Sequence, residues 1–435
     1  MIILGIETSC DETALALIEV EGDSVRVLAN ITHSQAALHA KYGGVFPNLA
    51  KREHAKNLIP LFKAILTESN SLNEKIINQN VKVQTKIKNR KQANPNSYSD
   101  VLENIRITLE REPELWKQFE KFVPTIEKPP IDAIAVTFGP GLEPALWVGI
   151  NFAKALSAVW DIPVMPVNHM EGHIVSALLR AENSKSQITN KSKIPNSKKI
   201  PDTAYSIRDT QYEILKPALP VIALLISGGH TELVLVKKLG QYEIIGETKD
   251  DAVGEAFDKV ARILGLPYPG GPEISRLAEK TRRYTLYAKR LSLPRPMLHS
   301  GDYNFSFSGL KTAVLYAVRK LPKLTGEIKK IIAREFEDSV TEVLVSKTTK
   351  AIKGHEAKTL IVAGGVIANK HIRASFEELR QSAFPRLELL IPEIPHSTDN
   401  ALMIAVAGFL NLTSSKKPRS VANLKITASG RARLS

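Results

Sequence analysis

Cysteine is almost missing from this 435-residue chain, with Cys10 standing alone. An internal disulfide is therefore excluded, which fits a reducing compartment. No run of eighteen apolar residues occurs, so no membrane-spanning helix and no membrane partner are expected. A strand starts directly at residue 2 with no basic stretch before it, which predicts a soluble cytoplasmic protein without a signal peptide. The pattern G-x-x-x-x-G-K-[ST] is absent, so any nucleotide is held without a P-loop. Acid is in deficit: 45 Asp and Glu face 59 Lys and Arg, a formal charge of +14. Such a surplus attracts phosphate backbones at long range. Part of it is uninformative, because residues 183–201 hold five Lys and no acid, the composition of a solvated loop.

The length exceeds one core of ordinary size and predicts two domains. Apolar runs predict strands at 2–6, 14–20 and 25–29, and helical spacing predicts a helix over 48–66. Residues 71–129 turn rich in Asn, Lys and Gln, with a charged helical patch near 102–122, and read as an inserted segment. Order returns with a strand at 131–136, a helix at 145–160, a strand at 163–167 and a helix from His169 to about Arg180. A second polar, basic segment at 181–209 reads as another insertion or a linker. The same order then repeats: strands at 221–226, 232–237 and 242–246, a helix at 253–264, a strand at 359–363, a helix at 369–382, a strand at 387–391 and a helix at 399–410. A helical insertion spans 265–354.

Two tandem β-β-β-α-β-α-β-α lobes describe the α/β architecture of actin, hexokinase and Hsp70 (ribonuclease H-like), with ligands in an inter-lobe cleft at strand ends and helix starts. The boundaries are 1–219 for the first lobe, 220–412 for the second and 413–435 for a basic tail. The polar composition of the two inserted segments predicts that they can be shortened at little stability cost.

His169 and His173 stand four apart, so a helix starting there stacks both imidazoles on one face, as a transition metal requires. Ser397-Thr-Asp-Asn400 opens the equivalent helix of the second lobe and brings Asp399 as a third ligand. Two imidazoles and one carboxylate with open positions suit Zn²⁺ or Fe²⁺ in a catalytic role. A zinc protease is disfavoured, since its general-base Glu directly follows the first His and here Met170 does. In Ile226-Ser-Gly-Gly-His-Thr231 the glycines let backbone N–H groups of Ser227, Gly228 and Gly229 close on a phosphate, though a plain hairpin turn fits as well. Asp11, in the acidic turn 7–13, is a candidate proton acceptor or substrate-orienting carboxylate, or else an ordinary turn residue. Asn369, after a strand and a Gly-Gly turn, could hydrogen-bond an adenine or ribose, and Asp258 is suited to ribose hydroxyls.

Taken together, Gly5-Ile-Glu-Thr-Ser-Cys-Asp-Glu-Thr13, Asn168-His-Met-Glu-Gly-His173, Ser227-Gly-Gly-His-Thr231, Gly254-Glu-Ala-Phe-Asp-Lys259, Tyr268-Pro-Gly-Gly271, Phe305-Ser-Phe-Ser-Gly-Leu-Lys311, Gly364-Gly-Val-Ile-Ala-Asn369 and Ser397-Thr-Asp-Asn400 resemble the TsaD family of tRNA N6-adenosine threonylcarbamoyltransferases. The resemblance covers both lobes and excludes the two insertions and the tail after about Leu412. It implies one iron or zinc ion on His169, His173 and Asp399. It implies substrate and adenine-nucleotide contacts at Leu225, Ile226, Ser227, Gly228, Gly229, Asp258, Gly271 and Asn369. The implied reaction moves threonylcarbamoyl from threonylcarbamoyl-adenylate to the exocyclic amine of adenosine 37 in tRNAs reading codons that begin with A. The implied partners are tRNA, a shortened paralogue and a small P-loop ATPase. Two departures stand out: Ser397 where many members have Cys, and the two insertions. The rival readings are a small-molecule carbamoyltransferase of the same fold and a non-catalytic, nucleotide-switched assembly protein.

Overall fold

A computed structural model describes residues 1–69, 95–182, 188–189, 204–281, 291–414 and 426–435. The remaining parts of the expected insertions and of the basic tail lie outside the described residues. Two mixed sheets organise the chain. The first holds β1 (Ile2–Glu7), β2 (Glu12–Glu21), β3 (Ser24–Ser34), β4 (Ala133–Gly139) and β5 (Val164–Asn168) in the order β5-β4-β1-β2-β3. Short strands β6 (Leu179–Ala181), β7 (Ile188–Thr189), β8 (Ala204–Ile207) and β9 (Thr210–Ile214) extend it beyond β3. Residues 181–209, expected as an insertion or linker, thus contribute strands to this sheet.

The second sheet contains β10 (Val221–Ile226), β11 (Thr231–Lys238), β12 (Gln241–Glu247), β13 (Thr359–Ala363) and β14 (Glu388–Leu390), in the order β12-β11-β10-β13-β14. Its strand order and senses repeat those of the first. In each, two antiparallel pairings join the first three strands, and two parallel pairings add the fourth and fifth. All six residues of β10 are buried, and β1 is buried from Ile3 onward. Strands covered on both faces read as unbroken apolar runs, which explains their legibility.

Helices cover the outer faces. On the first sheet lie α1 (Ala36–Ala40), α2 (Pro47–Glu68), α3 (Pro95–Thr108), α4 (Pro113–Phe122) and α5 (Glu143–Trp160). Phe62 of α2 meets Phe152 of α5 edge-on at 5.8 Å, and Phe119 of α4 meets Phe152 at 6.4 Å. Ile105, Leu109, Leu115 and Phe119 are buried in the same cluster. The expectation that this part of 71–129 can be shortened at little stability cost is therefore corrected: α3 and α4 wall the apolar core on the outer face of the first sheet. Outside the second sheet, α7 (Val253–Ile263), α8 (Gly270–Glu279), α9 (Ser308–Arg319), α10 (Gly326–Gly354) and α11 (Lys370–Ala383) enclose Phe257, Phe305, Phe307 and Phe336.

Between the sheets lie α6 (His169–Ser176) and α13 (Ala401–Ser414), the last helix preceded by one turn, α12 (Ile394–Ser397). Here α6 ends at Ser176, earlier than the expected Arg180, and α13 begins at Ala401, not Asp399, with Asn400 accepting from the Met403 N–H at 3.1 Å. α13 packs on the first sheet so closely that glycine is required: a Cβ on Gly5 would sit 2.3 Å from the Ala401 carbonyl oxygen, and one on Gly408 would sit 2.4 Å from the Ala135 Cβ. One apolar cluster joins both sheets through these helices, running from Ile3 and Ala16 through Ile174 and Ile404 to Val234 and Ile361. Among the described residues no helix is long and apolar enough to cross a membrane.

Candidate active site

β5 delivers the chain into α6, where Asn168 accepts hydrogen bonds from the Met170 and Glu171 N–H groups at 2.9 and 3.4 Å. That N-cap places His169 in the first turn and His173 one turn later on the same face, with rings 4.7 Å apart and nearly perpendicular. Asp399 arrives from the bend between α12 and α13. Its Oδ1 lies 3.4 Å from His169 Nε2 and 3.2 Å from His173 Nε2. One ligand atom from each residue lies within 4.8 Å of the other two.

These separations are those of ligands around an ion. Bonds of about 2.0–2.1 Å at a tetrahedral angle put donors about 3.3 Å apart. His173 is fully buried, yet neither ring nitrogen has a partner in hydrogen-bond geometry. A buried imidazole without one is costly unless something else takes its lone pair. His169 is oriented from behind, its Nδ1 3.0 Å from Glu7 Oε2 and 3.3 Å from Ser9 Oγ. Glu7 in turn accepts from Thr137 Oγ1 at 2.6 Å and from the Ser9 N–H at 2.5 Å. A carboxylate behind a ligating histidine fixes its tautomer and leaves Nε2 for the metal.

The electrostatics ask for a cation. Burial disfavours the His169 imidazolium, but Asp399 and Glu7 outweigh it and hold its pKa well above the ordinary value. Burial opposes ionisation of Glu7 and Asp399 too, and His169 prevails, keeping both below the usual carboxylate range. His173, dominated by burial, is pushed down and stays neutral, as a ligand must be. The residues present fit a metal ion.

Asp11 sits on the adjoining turn, its carbonyl accepting from the Gln35 N–H at 2.9 Å. Next to it the Glu12 carboxyl is pushed well above the usual carboxylate range by burial and then by Asp11. Glycines 228 and 229 face open space, while the Ser227 carbonyl takes the Gly254 N–H at 3.2 Å, seating the start of α7 behind the turn. Leu225 and Ile226 are wholly buried with side chains in opposite cores, leaving only their backbone for any ligand. Asp258 accepts the Gly270 N–H at 2.7 Å and so holds the first turn of α8, where Gly271 borders open space.

Asn369 is otherwise engaged than expected. Its Oδ1 caps α11, accepting from His371 and Ile372 at 2.9 and 3.0 Å, and its Nδ2 donates to Glu337 at 2.6 Å. Glu7, Thr137 and Glu337 escaped the sequence reading. Glu7 had one available signal, an acidic residue ending a fully apolar strand.

The TsaD family model, tRNA N6-adenosine threonylcarbamoyltransferase, matches residues 26–77, 124–187 and 203–406. The chain belongs to the TsaD family. A tRNA N6-adenosine threonylcarbamoyltransferase of Chromobacterium violaceum is 40% identical over 416 residues, covering 95% of this chain and 93% of that protein. One of Burkholderia mallei is 39% identical over 418 residues, covering 95% and 92%. Among solved structures, full-length HypF in its phosphate- and nucleotide-bound form matches with a TM-score of 0.42 at 13% identity, covering 70% of this chain and 42% of that one.

Proposed function

We infer that this TsaD-family chain transfers a threonylcarbamoyl group from threonylcarbamoyl-adenylate to the N6 amine of adenosine 37 in tRNAs reading ANN codons. The observation that carries the reading is the convergence of His169, His173 and Asp399, all three close enough to act electrostatically on His230 of the open glycine turn 227–231. The two sheets are read as actin-like lobes, 1–219 and 220–412, with the donor in the groove between them and 413–435 as a tail.

In the transfer, a bond forms from N6 to the carbamoyl carbon, the bond from that carbon to the adenylate oxygen breaks, and N6 gives up a proton. The backbone N–H groups of Gly228 and Gly229 receive the departing phosphate, backed by the start of α7, while the Ser227 N–H closes the turn on the His230 carbonyl at 2.9 Å. Asp258 fixes the turn that brings Gly271 to the ribose. Asp11, next to Glu12 on the same turn, takes the N6 proton. His169, His173 and Asp399 would hold one Fe²⁺ or Zn²⁺, which would supply Lewis acidity. Glu7 keeps His169 turned toward it. The enzyme works on tRNA in the cytoplasm, with a shortened paralogue and a small P-loop ATPase as partners.

The test is transfer of labelled threonylcarbamoyl to unmodified tRNA, with metal content measured on the same protein. His173→Ala is expected to lose both metal and transfer while keeping its fold. Full transfer by a folded, metal-free variant would sink the reading.

A further inference from the structure

Seven large apolar side chains are exposed among the described residues, and two of them touch: Tyr42, 61% exposed, and Phe46, 58% exposed, with ring centroids 5.8 Å apart. They flank the Gly43-Gly44 loop between α1 and α2, and that loop is tied to the site from both sides. Arg262, one helical turn beyond Asp258 on α7, donates to the Gly43 carbonyl. His39 receives the Phe46 N–H at 3.3 Å and contacts Gln35 at 3.2 Å, and the Gln35 N–H donates to the Asp11 carbonyl. The loop bearing the aromatic pair is therefore tied to the two segments that carry Asp11 and Asp258, whose carboxylates are near enough to act on each other. The exposed Lys41 and Arg52 lie beside it in the chain, and the first turn of α2 carries no acid.

We propose that Tyr42 and Phe46 form a stacking platform for an unpaired nucleobase of the RNA substrate, adjacent to the base that is modified. The proposal rests on the reading of the chain as a tRNA-modifying enzyme. RNA is recognised chiefly through unstacked loop bases laid on aromatic rings, with cations nearby for the backbone. A base sandwiched between rings needs about 7 Å, twice a carbon contact distance. At 5.8 Å these rings cannot admit one between them, so the base lies across their outer faces. Large apolar rings held in water at a polyanion-binding groove would otherwise be an exposed liability.

The experiment measures the affinity of an unmodified tRNA transcript, at several salt concentrations, for the wild type, Tyr42→Ala, Phe46→Ala, the double variant and the ring-preserving Tyr42→Phe and Phe46→Tyr. Both side chains are exposed, so folding is expected to be unaffected. Each alanine variant is expected to bind roughly 5- to 150-fold more weakly, the worth of one stacked base. The salt slope should not change, and the ring-preserving variants should stay near wild type. An anticodon stem-loop lacking one base, scanned position by position, should weaken binding to the wild type at one position and not to the double variant. Wild-type affinity in the double variant overturns the proposal. So does a loss that no missing base reproduces, which would assign the rings to a protein partner. If the wild type itself neither binds nor modifies tRNA, the enzymatic reading fails instead.

Discussion

Glu7 carries no ligand atom to the candidate metal, yet it decides where His169 points. His169 keeps its carboxylate ionised against burial, and Thr137 and the Ser9 N–H fix it, so that it accepts a hydrogen bond from His169 Nδ1. Glu7→Gln retains the size and one acceptor but loses the charge, and metal affinity is expected to fall roughly 10- to 100-fold. Titration of the apoprotein with Zn²⁺ checks this; unchanged affinity would make Glu7 merely a turn residue. His54 makes a different contribution. It is buried behind the acidic turn, with Nε2 3.0 Å from the Cys10 carbonyl and Nδ1 2.8 Å from Thr13 Oγ1. Burial pushes its pKa from the ordinary 6.5 down to about 4. The unfolded chain therefore takes up a proton below pH 6.5 that the folded chain refuses until about pH 4. Stability should be full above that window and fall across it by up to about 3 kcal/mol from this residue. His54→Gln should flatten that part of a stability-against-pH curve, and an unchanged slope would count against a neutral buried imidazole. The spacing of His169 and His173 was legible because helical geometry is regular. Glu7 was not, since its partners lie 130 and 162 residues away. Asn369 was legible only ambiguously, because an Asn at a helix start signals a cap as readily as a ligand contact.

At the scale of elements, α3 and α4 show how composition misleads. In α4 only Leu115 and Phe119, four residues apart, are buried, and the surrounding Glu, Lys and Gln dominate any average. Phe119→Ala is expected to cost about 3–5 kcal/mol, a core penalty and not a surface one. Chemical denaturation measures it, and a loss below about 1 kcal/mol would restore the view of a dispensable insertion. The strands were readable for the opposite reason: burial on both faces leaves no room for polar residues.

For the molecule as a whole, the repeated strand order was visible in the sequence, but the exchange of helices between sheets was not. Helical periodicity records that a face is buried, never against which neighbour. The nearly uninterrupted apolar character of α13 was the available hint, because a helix without a polar face is enclosed on all sides. Since a single apolar cluster includes both sheets, thermal unfolding should occur as one calorimetric transition. Two separated transitions would show that the halves melt independently.

Residues 426–435 pack against the elements of the first sheet. The Ser429 N–H donates to the Phe138 carbonyl, Asn168 Nδ2 to the Arg433 carbonyl and Arg433 to Glu247 across the groove, while Ile426, Ala428 and Leu434 are buried. Removing residues 426–435 would therefore strip the Asn168 side chain, whose Oδ1 caps the histidine helix, of the acceptor for its Nδ2.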